Sequence, residues 1–207
     1  MVRIAAAVVI GLLALAEVSW AQGNLTVNEH PVQQESPQLG KPLPPLSGPA
    51  ALSKGLLNLQ KLTRELTFLK DADGKLIMEN GRPKTRLDAY ALVINFFATY
   101  CAPCIREIPT FNRIAEAYPN QPVRFLYVNA DVDKPAEEVK QFAAEKGITV
   151  EMMFPSVSPT IKSYQIETLP RIAVADRQGV VRTVFLGFQD NLTAQVDAAI
   201  QNALKQN

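Results

Sequence analysis

The chain has 207 residues, of which 47% are hydrophobic and 20% charged, and its formal net charge is +1. This length suffices for one domain with a substantial core plus extensions. Because the charge is nearly balanced, no basic surface for nucleic acid is indicated, and we exclude that class of partner.

The first 21 residues have the pattern of a secretory signal peptide. Arg3 supplies the positive charge, residues 4–16 form the apolar run, and the small residues Ser19 and Ala21 predict cleavage after Ala21. The alternative is an uncleaved membrane anchor, although the apolar run is short for a span and ends in a charge. Either way the rest of the chain is predicted to be exported, to the periplasm or another extracytoplasmic space. Disulfides persist there, so a cysteine pair needs a partner to set its redox state.

Residues 22–50 are predicted to form an extended linker. The segment is rich in Pro, Gln, Ser and Gly and shows no apolar periodicity. His30, the only histidine, lies here and is interpreted as a solvated residue of the tail. The folded domain is therefore expected over residues 51–207.

The domain is expected to begin with a short helix and a hairpin. Leucines recur at helical spacing from Leu52 to Leu66, although Gly55 weakens the pattern. Asp73-Gly74 and Asn80-Gly81 are strong turn signals, with residues 75–78 a candidate strand between them.

The central stretch is a buried strand that leads directly into a Cys-x-x-Cys sequence. Residues 92–98 are apolar, β-branched or aromatic except for Asn95, which is typical of a strand covered on both faces. Cys101 falls at the predicted start of a helix, where free N–H groups and the helix dipole stabilise a thiolate, and Pro103 suits the first turn. The thiolate is the reactive form, and Cys104 is close enough to close a reversible disulfide.

Three other interpretations of this cysteine pair compete with redox chemistry. A structural disulfide closing so short a loop would stabilise a domain of this length poorly. Half of a zinc site would need further ligands, but the chain has no other cysteine and His30 lies in the predicted linker. Inert buried thiols are disfavoured because a strand-to-helix junction is where a chain reaches the surface. Redox chemistry is therefore preferred.

The rest of the chain alternates between strands and helices. Strands are predicted over residues 123–129, 148–154, 171–175 and 180–186, and helical segments over 136–146, 159–164 and the residues after Asp190 or Asn191. Asp131 and Asp133, with Pro135, are expected to form the start of the helix over residues 136–146. The turn at residues 176–179 makes the last two strands an antiparallel hairpin. This order predicts an α/β domain with a mixed central sheet and helices on both faces.

Taken together, these segments resemble the thioredoxin fold. The resemblance rests on three segments. These are the buried strand with the Cys-x-x-Cys sequence up to Pro109, the helical insertion near residues 135–147, and the Thr-Leu-Pro sequence that ends at Pro170 before a strand-turn-strand. Within that fold the chain resembles the exported thiol-disulfide oxidoreductases of the TlpA, ResA and DsbE type. The resemblance covers residues 87 to 207, and residues 52–86 are longer than the family's usual entry strands.

The resemblance implies roles for individual positions. Cys101 matches the exposed nucleophile, Cys104 the buried resolving thiol, and Pro170 a proline with a cis peptide bond that faces the pair. The backbone of Leu169 would pair with an extended substrate peptide, and Glu107 matches a carboxylate near the site. Independently, Glu107 follows Cys104 by three residues and shares its side of the helix, where it could relay the proton that Cys104 loses. A solvated helix glutamate is the alternative.

Several positions depart from the family's pattern or bear on substrate contact. Asn95 replaces a buried acid of thioredoxin, which makes Glu107 the substitute, and Tyr100 replaces the usual Trp next to the nucleophile. Tyr100, Ala102, Pro103 and Leu169 are therefore the candidate substrate contacts. Ala102-Pro103 is similar to the thioredoxin pair and favours reduction, because exported oxidases and isomerases place a histidine there.

The resemblance also implies partners and leaves two alternatives. The substrate would be a disulfide in an exported protein, with apocytochrome c as one class, and the electron donor a membrane thiol-disulfide transporter of the DsbD or CcdA type. No cofactor or metal beyond the cysteine pair is expected. The alternatives are a disulfide oxidase or isomerase on the same fold, and a non-catalytic copper-binding protein, which would need a histidine in the folded domain.

Overall fold

The computed structural model describes residues 38–206. The predicted signal peptide, the linker up to residue 37 and His30 lie outside these residues. No helix within residues 38–206 is long and apolar enough to cross a membrane.

Eleven strands and five helices occur in the described part of the chain. In chain order they are β1 (Ser47–Pro49), β2 (Leu56–Asn58), α1 (Leu59–Thr63), β3 (Arg64–Phe68), β4 (Met78–Glu79), β5 (Arg82–Pro83), β6 (Thr85–Ala89), β7 (Ala91–Phe97), α2 (Ala102–Glu116), β8 (Val123–Asn129), α3 (Ala136–Glu145), β9 (Met152–Met153), α4 (Val157–Tyr164), β10 (Arg171–Ala175), β11 (Val181–Leu186) and α5 (Leu192–Lys205).

A five-stranded mixed sheet organises the domain, in the order β11-β10-β7-β8-β9. β7 pairs with β8 in parallel and with β10 antiparallel, and β10 forms the predicted hairpin with β11. All seven residues of β7 are buried because the strand is central and covered on both faces. The buried strand that the apolar run predicted is confirmed.

The two faces of the sheet carry separate hydrophobic clusters. One cluster contains both cysteines together with apolar residues of α2, α3 and α5, among them Ile108, Val139 and Val196. The other contains Leu59 of α1 and Tyr164 of α4. Successive side chains of a strand point to opposite faces, so β7 contributes to both clusters. The predicted α/β fold with helices on both faces is confirmed.

Residues 38–50 differ from the extended linker predicted for them. Leu43 and Leu46 are buried in the second cluster, and β1 pairs with β2. At the start of this segment, the Gln38 side chain donates a hydrogen bond to the carbonyl of Ser163 at 2.9 Å and accepts one from buried Arg171 at 3.2 Å. Proline-rich composition removes helical periodicity but does not prevent tertiary packing, and this segment is part of the domain.

The helix predicted across residues 52–66 is also wrong over most of its length. Only α1, a five-residue helix capped by the Asn58 side chain, is helical, and strands precede and follow it. Pairing of β2 with β1 and of β3 with β6 outweighs the leucine spacing. The predicted turn at Asn80-Gly81 is confirmed, with both residues at positive φ between β4 and β5.

Candidate active site at the Cys101–Cys104 disulfide

The two cysteines form a disulfide at the start of α2. The S–S distance is 2.02 Å and the Cα–Cα distance is 5.2 Å. Cys101 is the N-cap of α2, and its Sγ accepts a hydrogen bond from the backbone N–H of Cys104 at 3.2 Å. The helix start predicted for Cys101 is confirmed. In the dithiol form the same N–H and the helix dipole would stabilise a thiolate on Cys101.

The two sulfur-bearing residues differ in accessibility. Cys101 is 8% exposed and Cys104 is 3% exposed. The resemblance implied an exposed nucleophile, but in the disulfide form Cys101 is itself largely covered, because its sulfur lies over the helix end and is bonded to Cys104. Cys101 is nevertheless the more accessible of the two, which suits attack from outside.

Glu107 is a buried acid on the same helix. Its side chain is 2% exposed, and its Oε1 accepts a hydrogen bond from the Asn95 amide at 2.8 Å. Burial raises the pKa of Glu107 to about 7, and the Asn95 bond opposes part of that rise by favouring the ionised form. A carboxyl group with such a pKa accepts and releases protons near neutral pH. The alternative of a solvated helix glutamate is therefore wrong.

Tyr127 adds a second titratable group next to this pair. It lies on β8 directly opposite Asn95 of β7. Burial raises the pKa of its phenol, and the charge of Glu107 raises it further. The phenol therefore stays protonated, and Glu107 is the group in this cluster that titrates near neutral pH.

The chain reaches the same end of the sheet again at Leu169 and Pro170. The peptide bond between them is cis, as the resemblance implied. Because β10 runs antiparallel to β7 with Arg171 opposite Phe96, Pro170 lies at the carboxyl end of β7, the end from which the chain continues to Cys101. Leu169 is half-buried and packs against the cluster that contains both cysteines.

The other three predicted substrate contacts are next to Cys101 in the chain and are at least partly accessible to solvent. Tyr100 is 73% exposed, Ala102 is exposed and Pro103 is half-buried. These side chains are accessible to another protein that approaches Cys101.

α3 begins at Ala136 directly after Pro135, as predicted, but neither aspartate caps it. Sequence reasoning missed the role of Asp131, which is buried. Its carboxylate accepts hydrogen bonds from the N–H of Thr99 at 3.0 Å and 3.2 Å, from the Thr99 hydroxyl at 2.9 Å and from the Asn129 amide at 2.6 Å. Asp131 thereby holds the loop that precedes Cys101. Its position directly after a buried strand was the available signal.

Within residues 38–206 no group of three or more His, Cys, Asp or Glu side chains is arranged to hold a metal ion. The redox-capable group in this region is the disulfide itself, which exchanges two electrons as a dithiol–disulfide couple.

The chain is similar to known proteins in both sequence and structure. The family model described as Redoxin matches residues 67–200. The thiol-disulfide oxidoreductase ResA of Geobacillus kaustophilus is 32% identical over 122 residues, which cover 59% of this chain and 64% of that protein. The sporulation thiol-disulfide oxidoreductase A of Bacillus subtilis is 24% identical over 96 residues, 46% of this chain and 58% of that protein. The matches thus span less than two thirds of these relatives.

Solved structures share the fold. A thiol:disulfide interchange protein from a Bacteroides species superimposes with a TM-score of 0.60 at 17% identity, covering 81% of this chain and 93% of that one. A thioredoxin family protein from Chlorobium tepidum gives a TM-score of 0.56 at 22% identity, with coverages of 78% and 94%. The thioredoxin-like fold expected from the sequence is therefore confirmed.

Proposed function

The chain belongs to the Redoxin family, and on that premise we propose that it is a thiol-disulfide oxidoreductase that reduces disulfides in exported proteins. The observation that carries the proposal is the Cys101–Cys104 disulfide at the N-terminus of α2, with the Cys101 sulfur as the helix cap. The names of the curated relatives support the same activity.

Substrate reduction begins with the dithiol form. The Cys101 thiolate attacks one sulfur of the substrate disulfide, and the other substrate sulfur leaves as a thiolate. Cys104 then gives its proton to the Glu107 carboxylate, and the Cys104 thiolate attacks Sγ of Cys101. The second substrate sulfur leaves, so the substrate gains two electrons and the Cys101–Cys104 disulfide forms.

The surface around the disulfide is suited to an extended peptide. Exposed Tyr100 and Ala102 and half-buried Pro103 would contact the residues next to the substrate cysteine. The backbone of Leu169, beside the cis bond, would pair with the substrate chain. Family resemblance supports both roles, since these positions match those of the peptide-binding edge.

Location and partners follow from the resemblance and the amino-terminal pattern. We place the domain outside the cytoplasm, as a secreted or membrane-anchored protein, because residues 1–21 have the pattern of a signal peptide. Apocytochrome c is the proposed substrate class. A membrane thiol-disulfide transporter of the DsbD or CcdA type would restore the dithiol, since one cysteine pair alone holds only two electrons.

The first test is to trap the substrate. A Cys104→Ser variant cannot resolve the mixed disulfide, so nonreducing mass spectrometry of the exported protein should show a partner bound through Cys101. The matched control is the Cys101→Ser, Cys104→Ser double variant, which should capture nothing. Equal recovery of partners by both variants would refute attack by Cys101.

The equilibrium reduction potential tests the direction of transfer. A value near about −270 mV in thiol buffers is expected for a reductase. A value near about −120 mV would instead identify an oxidase, and a pair that stays oxidised well below about −300 mV would be a structural bridge.

A further inference from the structure

A cavity of about 330 Å³ lies between α2 and the start of α5. One wall consists of Glu107, Thr110 and Arg113, which share one side of α2. The opposite wall is formed by residues 188–194, among them Phe188, Asn191 and Ala194. The guanidinium of Arg106 stands 4.7 Å from the centre of the Phe188 ring, a cation–π contact that ties this wall to α2.

The buried acid of the site forms part of this cavity. Glu107 is almost fully buried, yet it contributes to the cavity wall. Its Oε2 has no hydrogen-bond partner among residues 38–206, and the same is true there of Asn95 Oδ1 and the Tyr127 hydroxyl. Buried polar atoms of this kind are usually satisfied by water where space allows, and a cavity of this volume holds several water molecules.

The cavity begins beside the predicted peptide-binding edge and extends away from it along α2. Its Phe188 end lies at that edge, because the N–H of the neighbouring Gly187 donates to the carbonyl of Pro170 at 2.9 Å. Thr110 and Arg113 follow Cys104 by six and nine residues, which at about 1.5 Å per residue places them roughly 9 and 14 Å farther along the helix. Tyr100 and Ala102 lie at the opposite end, beside Cys101. A protein bound at Cys101 would therefore leave the end of the cavity at Thr110 and Arg113 open.

We propose that this cavity is the solvent connection of Glu107, through which the carboxyl group releases the proton that it takes from Cys104. The inference rests on the proposed function. In each turnover the proton passes from Cys104 Sγ to Glu107 and then to water in the cavity, which leaves Glu107 ionised for the next cycle. While a substrate covers Cys101, the end of the cavity at Thr110 and Arg113 still connects Glu107 with solvent.

Charged and titratable groups around this route come from three elements. Tyr127 of β8 faces Glu107 from the sheet, Arg113 of α2 lies farther along the same wall, and Asp190 precedes α5. Water in the cavity also hydrates the ionised carboxylate. Filling the space should therefore raise the pKa of Glu107 above about 7 and reduce the ionised fraction at neutral pH.

The test fills the cavity from each wall separately. Thr110→Leu places a larger side chain in the cavity from α2, and Ala194→Leu does so from α5. Leucine has a high helix propensity, so both substitutions are compatible with the helices. The matched control is Ala198→Leu, an exposed alanine of α5 outside the cavity. Two readouts are taken: the pKa of Glu107 by carbon-13 NMR, and the rate at which Cys104 resolves a mixed disulfide made with a chromogenic aromatic disulfide.

Both cavity variants are expected to raise the Glu107 pKa and to slow resolution at pH 7, by about fivefold for a rise of about one unit. The control should match the wild type within about twofold. The slowed variants should recover as the pH is raised, which a merely structural defect would not produce.

Two results would overturn the inference. One is an unchanged pKa and rate in a folded cavity variant, and the other is a raised pKa with wild-type resolution across the pH range. If one of the two cavity variants fails to fold, the pKa and the rate are measured on the other variant, which tests the inference in the same way. A wild type that reduces no disulfide would refute the proposed function, whereas an active wild type with unaffected variants refutes the proton route alone.

Discussion

Asp131 is a buried carboxylate whose partners connect two loops of the site. Its two oxygens accept from the backbone and hydroxyl of Thr99 and from the amide of Asn129. Thr99 lies two residues before Cys101, so this arrangement determines how the chain leaves β7 and reaches α2. The Asn95 amide and the Glu107 carboxyl group form a second buried hydrogen-bonded pair. The site thus contains two buried polar groups, around Asp131 and around Glu107, that the apolar patterns of the sequence do not predict.

Replacing Asp131 with Asn should lower the free energy of unfolding by about 2 kcal/mol. The new NH₂ group would face the donors of Thr99 or Asn129, which leaves buried groups unpaired. Urea denaturation measures the change, and Asp133→Asn, at an exposed neighbour, is the matched control with an expected change within about 0.5 kcal/mol. Equal stabilities of the two variants would show that the buried contacts do not hold the loop.

The segment of residues 38–50 shows that an element without regular periodicity can still be part of a core. Leu43 and Leu46 are 7% and 8% exposed, and their backbones bond to Gly179 and Leu59. Pro44 contributes as well, since its carbonyl accepts from the Tyr164 hydroxyl at 2.7 Å. These contacts cover the face of the sheet opposite the cysteines.

A Leu46→Ala variant should lose about 2–3 kcal/mol of unfolding free energy, because it removes a buried side chain and leaves a cavity. Urea denaturation of the exported domain is again the measurement. Leu56→Ala, at a leucine that is 77% exposed, is the control and should change stability by less than about 0.5 kcal/mol. If Leu46→Ala behaved like this control, residues 38–50 would be a linker after all.

Burial of Glu107 couples the chemistry of the site to the stability of the whole domain. Its pKa is about 7 in the folded chain, against an ordinary value of 4.5. The folded state therefore binds this proton more tightly than the unfolded state. Below pH 4.5 the carboxyl group is neutral in both states and does not affect the free energy of unfolding. As the pH rises from 4.5 through 7, this free energy falls, because ionisation is easier in the unfolded state than in the folded state, where the charge is buried.

The oxidised wild type should accordingly lose stability between pH 4.5 and pH 8 relative to Glu107→Gln, by about 3 kcal/mol in total. The glutamine keeps the shape of the side chain but cannot ionise. Unfolding free energies of both proteins across this range give the difference, with exposed Glu116→Gln as the matched control. Parallel pH profiles for wild type and Glu107→Gln would mean that Glu107 titrates normally.

Local sequence patterns determined much of this protein. The apolar run of β7, the helix start at Cys101, the turn at Asn80-Gly81 and the hairpin of β10 and β11 each follow from residues close together in the chain. Resemblance added the fold and the cis bond before Pro170. Such features are readable because backbone preference and burial on one or both faces leave a short periodic signal.

Only the tertiary structure decided which distant residues meet. Asp131 reaches Thr99 across 32 positions, and Gln38 reaches Arg171 across 133. The packing of residues 38–50, the division of residues 56–68 among two strands and a short helix, and the cavity beside Glu107 depend on such meetings. Periodicity in the sequence indicates that a side chain is buried but not which residues it packs against. The residues that contact the loop and helix of the cysteine pair are therefore known only from the tertiary structure.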